Sequence, residues 1–397
     1  MIRRNNQLQD IFEIYGDEYL KNHKLPSYIK KVISDIKFCR TANLGGHIEQ
    51  CDECADIRIS YNSCRNRHCP KCQTLAKEKW IYNQEKNLLP VGYFHIVFTL
   101  PNEFNTLILL NQNIMYNLLF KSVSETLLEL AKDKKYLDAD IGITTILHTW
   151  GQNLMYHPHI HCIVPSGGLS NLGNKWNNSK EDFFIPVKVL SRVFRGKFLA
   201  YFKEAFKIQE FILNKDTLKF TNSQSYKNFL NKMYATEWVV YAKAPYKSAS
   251  HVLKYLGRYT HRVAISNDRI LDIKDNKITF KWRDYKDNNK QKIMTLSSDE
   301  FIRRFITHIL PPSFVKIRHY GLNSNRNINT KLKRCKILLK VYKQGEDKKM
   351  LSAAELFLKI TGINICQCKN CNNGNYIRKN KIEPRSTSPP LIKGAIK

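Results

Sequence analysis

Two Cys-x2-Cys pairs near the start of the chain form its plainest metal-binding pattern. They consist of Cys51 with Cys54 and Cys69 with Cys72, and fourteen residues separate them. Each pair can place two thiolates on one ion, and four thiolates satisfy the tetrahedral coordination of zinc. We therefore predict that these four cysteines bind structural zinc. Further residues of the same stretch, which could replace a cysteine or help to build a second site, are His47, Cys64 and His68.

A second cysteine cluster lies near the C-terminus and is a weaker candidate. Cys366, Cys368 and Cys371 offer three thiolates, so a fourth ligand would have to come from elsewhere. Cysteines that stand alone are more often small buried residues than ligands. We expect such buried positions for Cys39, Cys162 and Cys335.

The run His157-Pro158-His159-Ile160-His161 is the densest group of histidines in the chain. Side chains alternate along a strand, so His159 and His161 are expected on one face. Two imidazoles leave a divalent cation with open positions for substrate oxygens, which suits a metal that polarises a phosphodiester. Candidates for a third ligand, between which the sequence does not decide, are His148, Gln152 and His157.

Two tyrosines, Tyr255 and Tyr259, are spaced as neighbours on one face of a helix. A phenol has a pKa near 10, so it attacks phosphorus only where positive charge stabilises the phenolate. Aromatic pairs at this spacing are usually core residues. Here the flanking cations Lys254, Arg258 and Arg262, which we predict to bind DNA, favour a role for the two tyrosines as nucleophiles instead.

The composition points to a polyanionic partner. The 65 Lys and Arg residues outnumber the 34 Asp and Glu residues, which leaves a net charge of +31. Nucleic acid is the usual reason for such a surplus, although a lysine-rich proteome would also produce one. Arg65 and Arg67, beside the cysteines, are predicted to contact phosphate. The chain shows no secretory signal and no apolar run long enough to span a bilayer, so we expect a cytoplasmic, nucleoid-associated bacterial protein.

The pattern of helices and strands predicts an α+β fold. Residues 1–90 are expected to form a helical and zinc-binding domain, 91–330 a catalytic domain, and 331–397 a basic C-terminal region whose last eighteen or so residues are disordered. Within them we predict strands at 93–101, 141–148, 158–164 and 238–241; helices at 107–132, within 188–235, at 251–259 and at 298–310; and a meander of strands at 263–266, 269–273, 277–282 and 290–296.

Several motifs in one order resemble those of the IS91-type transposases, two-tyrosine members of the HUH endonuclease class. The resemblance covers residues from about 40 to 330. It rests on the cysteine block at 63–73, on residues 147–152 running on to the histidine strand and Gly167-Gly168, and on residues 255–262 followed by 314–321.

This resemblance implies an antiparallel HUH-type sheet flanked by helices, with the histidine strand at its centre and a small zinc-binding domain before it. It also implies that Tyr255 and Tyr259 attack single-stranded DNA at transposon ends and target sites. The attack would leave 5′-phosphotyrosine links, with Mg²⁺ or Mn²⁺ on His159 and His161. Alternatives are a replication initiator or relaxase of the same class, and a non-catalytic zinc protein that only binds DNA.

Overall fold

The computed structural model describes residues 6–180, 184–208, 211–246, 257, 260–284, 287–342 and 351–385. The chain forms two compact units. The first comprises residues 1–79, 261–309 and 349–397, and the second comprises residues 80–260 and 310–348. Both units are discontinuous in sequence.

The described helices are α1 Leu8–Asn22, α2 Ser27–Lys37, α3 Pro70–Glu85, α4 Asn105–Leu110, α5 Gln112–Lys132, α6 Val187–Ile208, α7 Ser223–Ala235, α8 Ser298–Ile306, α9 Asn325–Asn327, α10 Lys333–Leu338 and α11 Ala353–Thr361. The described strands are β1 Gly46–Cys51, β2 Ile57–Tyr61, β3 Tyr93–Thr99, β4 Ala139–Asp140, β5 Gly142–Trp150, β6 Tyr156–Pro165, β7 Gly167–Ser170, β8 Trp176–Asn178, β9 Val240–Tyr246, β10 Ile270–Lys274, β11 Lys277–Asp284, β12 Lys290–Ser297, β13 Ile317–Gly321 and β14 Tyr376–Ile382. None of the described helices is long and apolar enough to cross a lipid bilayer.

The second unit is built on a five-stranded antiparallel sheet in the order β13-β5-β6-β3-β9. One face of this sheet is apolar, since alternate residues such as Phe94, Phe98 and Ile160 are fully buried in the main core. Phenylalanines spaced four apart along α6, including Phe194, pack edge-to-face against that core, with ring centroids 5.1 Å apart for Phe98 and Phe194. The opposite face, which we call the polar face, carries the histidines of β3, β5 and β6 beside a small apolar cluster of Tyr93, Ile146 and Ile163.

The predicted strands at 93–101, 141–148 and 158–164 are confirmed as β3, β5 and β6, and the antiparallel α+β class is confirmed with them. The strand predicted at 238–241 begins two residues later and runs further, as β9. The prediction of a single long helix at 107–132 is wrong in one respect, because Asn111 divides this segment into α4 and α5. The backbone at Asn111 leaves the helical region, with φ −129° and ψ 46°. Its side chain donates to the carbonyl of Ile212 at 2.9 Å and accepts from the amide of that residue at 2.8 Å. The break thus anchors the segment that follows α6.

The first unit combines the N-terminal helices with two small antiparallel sheets. Helices α1 and α2 agree with the helical character predicted for the start of the chain. Helix α1 packs on α8 through an edge-to-face contact of Phe12 with Phe305, with ring centroids 5.5 Å apart. Strands β10, β11 and β12 form the predicted meander, but residues 263–266 are not a strand as predicted. The other sheet has the order β14-β1-β2, so a strand from the C-terminal region pairs with the N-terminal hairpin.

Candidate metal centres and active site

Three histidines come together on the polar face of the five-stranded sheet. His148 on β5 lies directly opposite His159 on β6, and His161 follows two residues later on the same face. One ring nitrogen of each lies within 4.8 Å of those of the other two, so the three could hold one cation. Ile160, between the two β6 histidines, points to the opposite face and is fully buried in the core. This alternation fixes which side chains form the cluster.

The hydrogen bonds of the cluster determine which nitrogens can bind a cation. The Nδ1 atom of His159 lies 2.6 Å from the carbonyl oxygen of His157. A carbonyl only accepts, so Nδ1 carries the proton and Nε2 of a neutral His159 keeps its lone pair. That Nε2 lies 3.1 Å from Nε2 of His161. Two imidazole nitrogens at this separation suit a shared cation.

A fourth histidine, His95 on β3, supports the cluster from the side away from His159. Its Nε2 lies 2.8 Å from Nδ1 of His161, and the two rings stack with centroids 5.0 Å apart. Desolvation, followed by the positive charge of Lys243, lowers the pKa of His95 to about 4. His95 is therefore neutral near pH 7. It can accept the Nδ1 proton of His161, so that the lone pair of a neutral His161 lies on Nε2, the nitrogen that faces His159.

Of the three proposed third ligands, the structure brings His148 to the cluster. His148 is buried and stacks on Trp150, with ring centroids 4.8 Å apart, which holds its ring in place. His157 instead supplies its carbonyl to His159, and burial lowers the pKa of its ring. Gln152 lies in the turn between β5 and β6. The described cluster is thus composed of imidazoles alone, which suits a divalent metal with an affinity for nitrogen.

The two tyrosines of the sequence prediction lie outside the described residues. The same is true of Lys254 and Arg258 and of most of the helix predicted at 251–259, so these four residues remain candidates on the sequence alone. Arg262 is described and half-buried. The catalytic assignment of Tyr255 and Tyr259 stays a prediction.

The cysteines form two groups of four rather than the single group that the sequence predicted. Cys69 and Cys72 join Cys39 and Cys64, whereas Cys51 and Cys54 join Cys368 and Cys371. The grouping of both Cys-x2-Cys pairs on one ion is therefore corrected. The spacing rule failed because it assumed that successive pairs share an ion, and the fold brings other cysteines to each pair. Cys64, which the sequence suggested could replace a cysteine or help to build a second site, is grouped with Cys39, Cys69 and Cys72 and is a candidate ligand.

The group within the first 72 residues, which we call the inner cysteine cluster, contains Cys39, Cys64, Cys69 and Cys72. The Cys72 sulfur lies 3.6 Å from the sulfurs of both Cys39 and Cys64. A tetrahedral site with Zn–S bonds of about 2.3 Å separates its sulfurs by about 3.8 Å, so the spacing fits zinc. Cys39 is fully buried as expected, but the turn after α2 also places its sulfur in this group, which makes it a candidate ligand. Cys162 and Cys335 are buried in apolar clusters as expected.

The second group, which we call the outer cysteine cluster, contains Cys51, Cys54, Cys368 and Cys371. Its sulfurs lie 3.7 Å apart between Cys51 and Cys371 and between Cys54 and Cys368. Cys366 is exposed and lies outside the cluster, contrary to its inclusion in the C-terminal site. His47 and His68 belong to neither described cluster, and the His47 ring faces Glu49 with 3.2 Å between nitrogen and oxygen.

The two arginines predicted to contact phosphate differ in exposure. Arg65 is exposed, with a positive φ of 54°, whereas Arg67 is half-buried and desolvation lowers its pKa. Both lie between Cys64 and Cys69, so the inner cysteine cluster fixes the two ends of the segment from which they project. The structure leaves their DNA-binding role as a prediction.

Comparison with known proteins gives matches over most of the chain. A family model described as "Transposase zinc-binding domain" matches residues 11–100, and one described as "Putative transposase" matches residues 142–331. The "Putative transposase y4qJ" of Sinorhizobium fredii is 43% identical over 393 residues, which cover 98% of each chain. The "Transposase for insertion sequence element IS801" of Pseudomonas savastanoi pv. phaseolicola is 25% identical over 358 residues, 85% of this chain and 81% of that one. No solved structure matches.

The fold, the metal centres and these matches define a DNA-processing transposase with a structural zinc-binding domain. Among such proteins, the chain belongs to the IS91 family of transposases.

Proposed function

We propose that the chain nicks and rejoins single-stranded DNA at the ends of a mobile element through 5′-phosphotyrosine links. The observation that carries this proposal is the cluster of His148, His159 and His161 on adjacent strands of a transposase chain. A metal bound there would withdraw electron density from a phosphodiester oxygen. DNA as the partner follows from the transposase family. The single-stranded form of that DNA and the attack by tyrosine are what we propose in addition.

Tyr255 and Tyr259 are the proposed nucleophiles. The phenol oxygen of one of them forms a bond to phosphorus while the bond from phosphorus to the 3′ oxygen breaks. The phenol proton is lost to solvent or base, and the departing 3′ oxygen takes up a proton to become a hydroxyl. Rejoining reverses these steps, because a 3′-hydroxyl attacks the phosphotyrosine and releases the phenol. Bonds of the same kind are broken and formed, so strand transfer needs no external energy source.

Neighbouring residues orient the histidine rings so that they can bind a cation. His157 and His95 orient the rings of His159 and His161 through their Nδ1 atoms, which leaves Nε2 lone pairs toward the cluster. Imidazole ligands suit a borderline ion better than Mg²⁺, which prefers oxygen. We therefore expect Mn²⁺ to bind more tightly than Mg²⁺.

The proposal is tested by mixing the protein with labelled single-stranded DNA from an element end and Mn²⁺, and by separating covalent adducts under denaturing conditions. We expect an adduct with the unchanged protein. We expect none with the double variant Tyr255→Phe, Tyr259→Phe, because the phenol oxygen is the attacking atom. Tyr234→Phe, which changes an exposed tyrosine on α7, is the matched control and should form the adduct normally.

The metal requirement is tested with His159→Ala, His161→Ala. We expect this double variant to lose Mn²⁺ binding, measured by calorimetry, and to lose adduct formation by at least about 100-fold. An adduct that persists in the tyrosine double variant would exclude these nucleophiles. An adduct that persists at full yield in the histidine double variant would exclude the metal centre.

A further inference from the structure

The outer cysteine cluster joins residues from opposite ends of the chain. Cys54 and Cys368 are 314 residues apart in sequence, yet their sulfurs lie 3.7 Å apart. The transposase zinc-binding model covers residues 11–100, which include only two of the four cysteines. We propose that Cys51, Cys54, Cys368 and Cys371 bind a second structural zinc ion, and that this ion fastens strand β14 to the N-terminal hairpin.

The sulfur geometry fits a metal and not a disulfide. A disulfide bond is about 2.05 Å long, far shorter than the separations of 3.7 Å between Cys51 and Cys371 and between Cys54 and Cys368. These separations match the value of about 3.8 Å that tetrahedral zinc imposes on thiolate ligands. All four sulfurs lie within 4.8 Å of one another. The four residues also comprise two Cys-x2-Cys pairs, each of which can wrap around one side of the ion.

The turn that carries the C-terminal pair donates hydrogen bonds to its sulfurs. The amide of Asn370 donates to Cys368 and the amide of Gly374 donates to Cys371, each at 3.4 Å. Such N–H donors stabilise thiolates, the form of cysteine that binds zinc. Gly374 is required for the close approach, because a Cβ atom at this position would lie 2.5 Å from the sulfur of Cys51.

Apolar burial gives β14 little support of its own. No residue of this strand is buried. The strand is held by its antiparallel pairing with β1 and by polar contacts beside the cysteines, such as the hydrogen bond from Tyr376 to Asp56 at 2.6 Å. Hydrogen bonds open to water contribute little net stability. A metal that supplies four strong bonds at the end of the β1–β14 ladder would therefore be the main attachment of this strand.

Zinc content of the full chain, measured by mass spectrometry, provides the first test. We expect Cys368→Ser, Cys371→Ser to hold one zinc ion fewer than the unchanged protein. We expect His159→Ala, His161→Ala, which removes the histidine cluster as a zinc site, to hold two zinc ions per chain. Cys366→Ser is the matched control, since it removes an exposed cysteine of the same turn that lies outside the cluster, and it should hold as many zinc ions as the unchanged protein. A single zinc ion in the histidine double variant would overturn the proposal, as would a Cys368, Cys371 double variant that loses no zinc.

Thiol labelling of the unchanged protein tests the pairing without relying on a variant that folds. A chelator is added with a maleimide, and the labelled positions are followed over time. We expect Cys51, Cys54, Cys368 and Cys371 to become labelled as one set, separately from the inner cysteine cluster. Labelling of Cys51 and Cys54 together with Cys69 and Cys72, while Cys368 and Cys371 react at once without chelator, would contradict the pairing. Neither measurement involves DNA, so the result is independent of the proposed strand-transfer activity.

Discussion

At the scale of single residues, the histidine cluster depends on hydrogen bonds that fix the protonated nitrogen of each ring. His159 is set by a backbone carbonyl, and His161 is set by the side chain of His95. His95 is a positioning residue, since it acts on the cation through His161. The histidine run in the sequence reveals the two residues of β6, but His95 is isolated in the sequence and has no local signal. Only the pairing of β3 with β6 brings it to His161.

Replacing His95 should therefore weaken metal binding without removing a ligand. We expect His95→Ala to lower Mn²⁺ affinity about 10- to 100-fold, as is typical when the partner of a metal-binding histidine is lost. His95→Gln should restore part of the affinity, because its amide oxygen can accept the Nδ1 proton of His161. Calorimetry with Mn²⁺ measures both effects.

The control for this prediction is His319→Ala on β13. His319 lies on the polar face of the same sheet, and its Nδ1 contacts the hydroxyl of Thr144 at 3.0 Å rather than a histidine of the cluster. Its removal should leave Mn²⁺ affinity within about twofold. Equal losses for His95→Ala and His319→Ala would mean that the effect is general destabilisation and that His95 has no positioning role.

At the scale of elements, β13 closes one edge of the sheet through a tight contact at its last residue. Gly321 has a φ of +59°, and a Cβ atom there would lie 1.9 Å from the carbonyl oxygen of Ile141. Gly321 lies in a stretch that resembles the family, but the sequence does not show why a glycine is needed there. The pairing of β13 with β5 shows it. The glycine lets the end of β13 lie directly against the start of β5.

We predict that Gly321→Ala lowers the free energy of unfolding by about 3 kcal/mol, since an L residue in this region is strained and the new methyl group meets backbone. Gly173→Ala is the matched control. Gly173 has a similar φ of +69°, but a Cβ atom there would meet nothing within 4 Å. It should cost only the strain, about 1 kcal/mol. Urea unfolding of the two variants measures the difference, and equal losses would show that the contact with Ile141 does not matter.

The elements also show which parts of the fold a single sequence can reveal. Strands β3, β5 and β6 were predictable because runs of β-branched and aromatic residues form a buried sheet. Strand β14 was not, since its central residues 378–381 are polar and exposed and it has no apolar alternation. The ligand role of Cys39 was hidden for a similar reason. It is separated from its partners by the β1–β2 hairpin, and its spacing matches no zinc motif.

At the scale of the whole molecule, the net charge of +31 should make the affinity for DNA strongly dependent on salt concentration. We predict that affinity for single-stranded DNA falls linearly with salt on logarithmic axes. If about six phosphates are neutralised, a rise from 50 to 200 mM salt should weaken binding roughly 300-fold. Fluorescence anisotropy with a labelled oligonucleotide measures the slope. His159→Ala, His161→Ala should show the same slope, because the surface cations are unchanged; a slope near zero would exclude phosphate neutralisation as the source of affinity.

Because the outer cysteine cluster joins Cys51 and Cys54 to Cys368 and Cys371, it can form only after nearly the whole chain has been synthesised. At about 5–20 residues per second, the ribosome needs roughly 15–60 seconds to make the 314 residues between Cys54 and Cys368. Throughout that interval the nascent hairpin holds half of a coordination shell. A chain that is truncated before Cys368 has only Cys51 and Cys54 of this cluster and cannot complete the site. The zinc content per chain therefore distinguishes truncated chains from those that include Cys368 and Cys371.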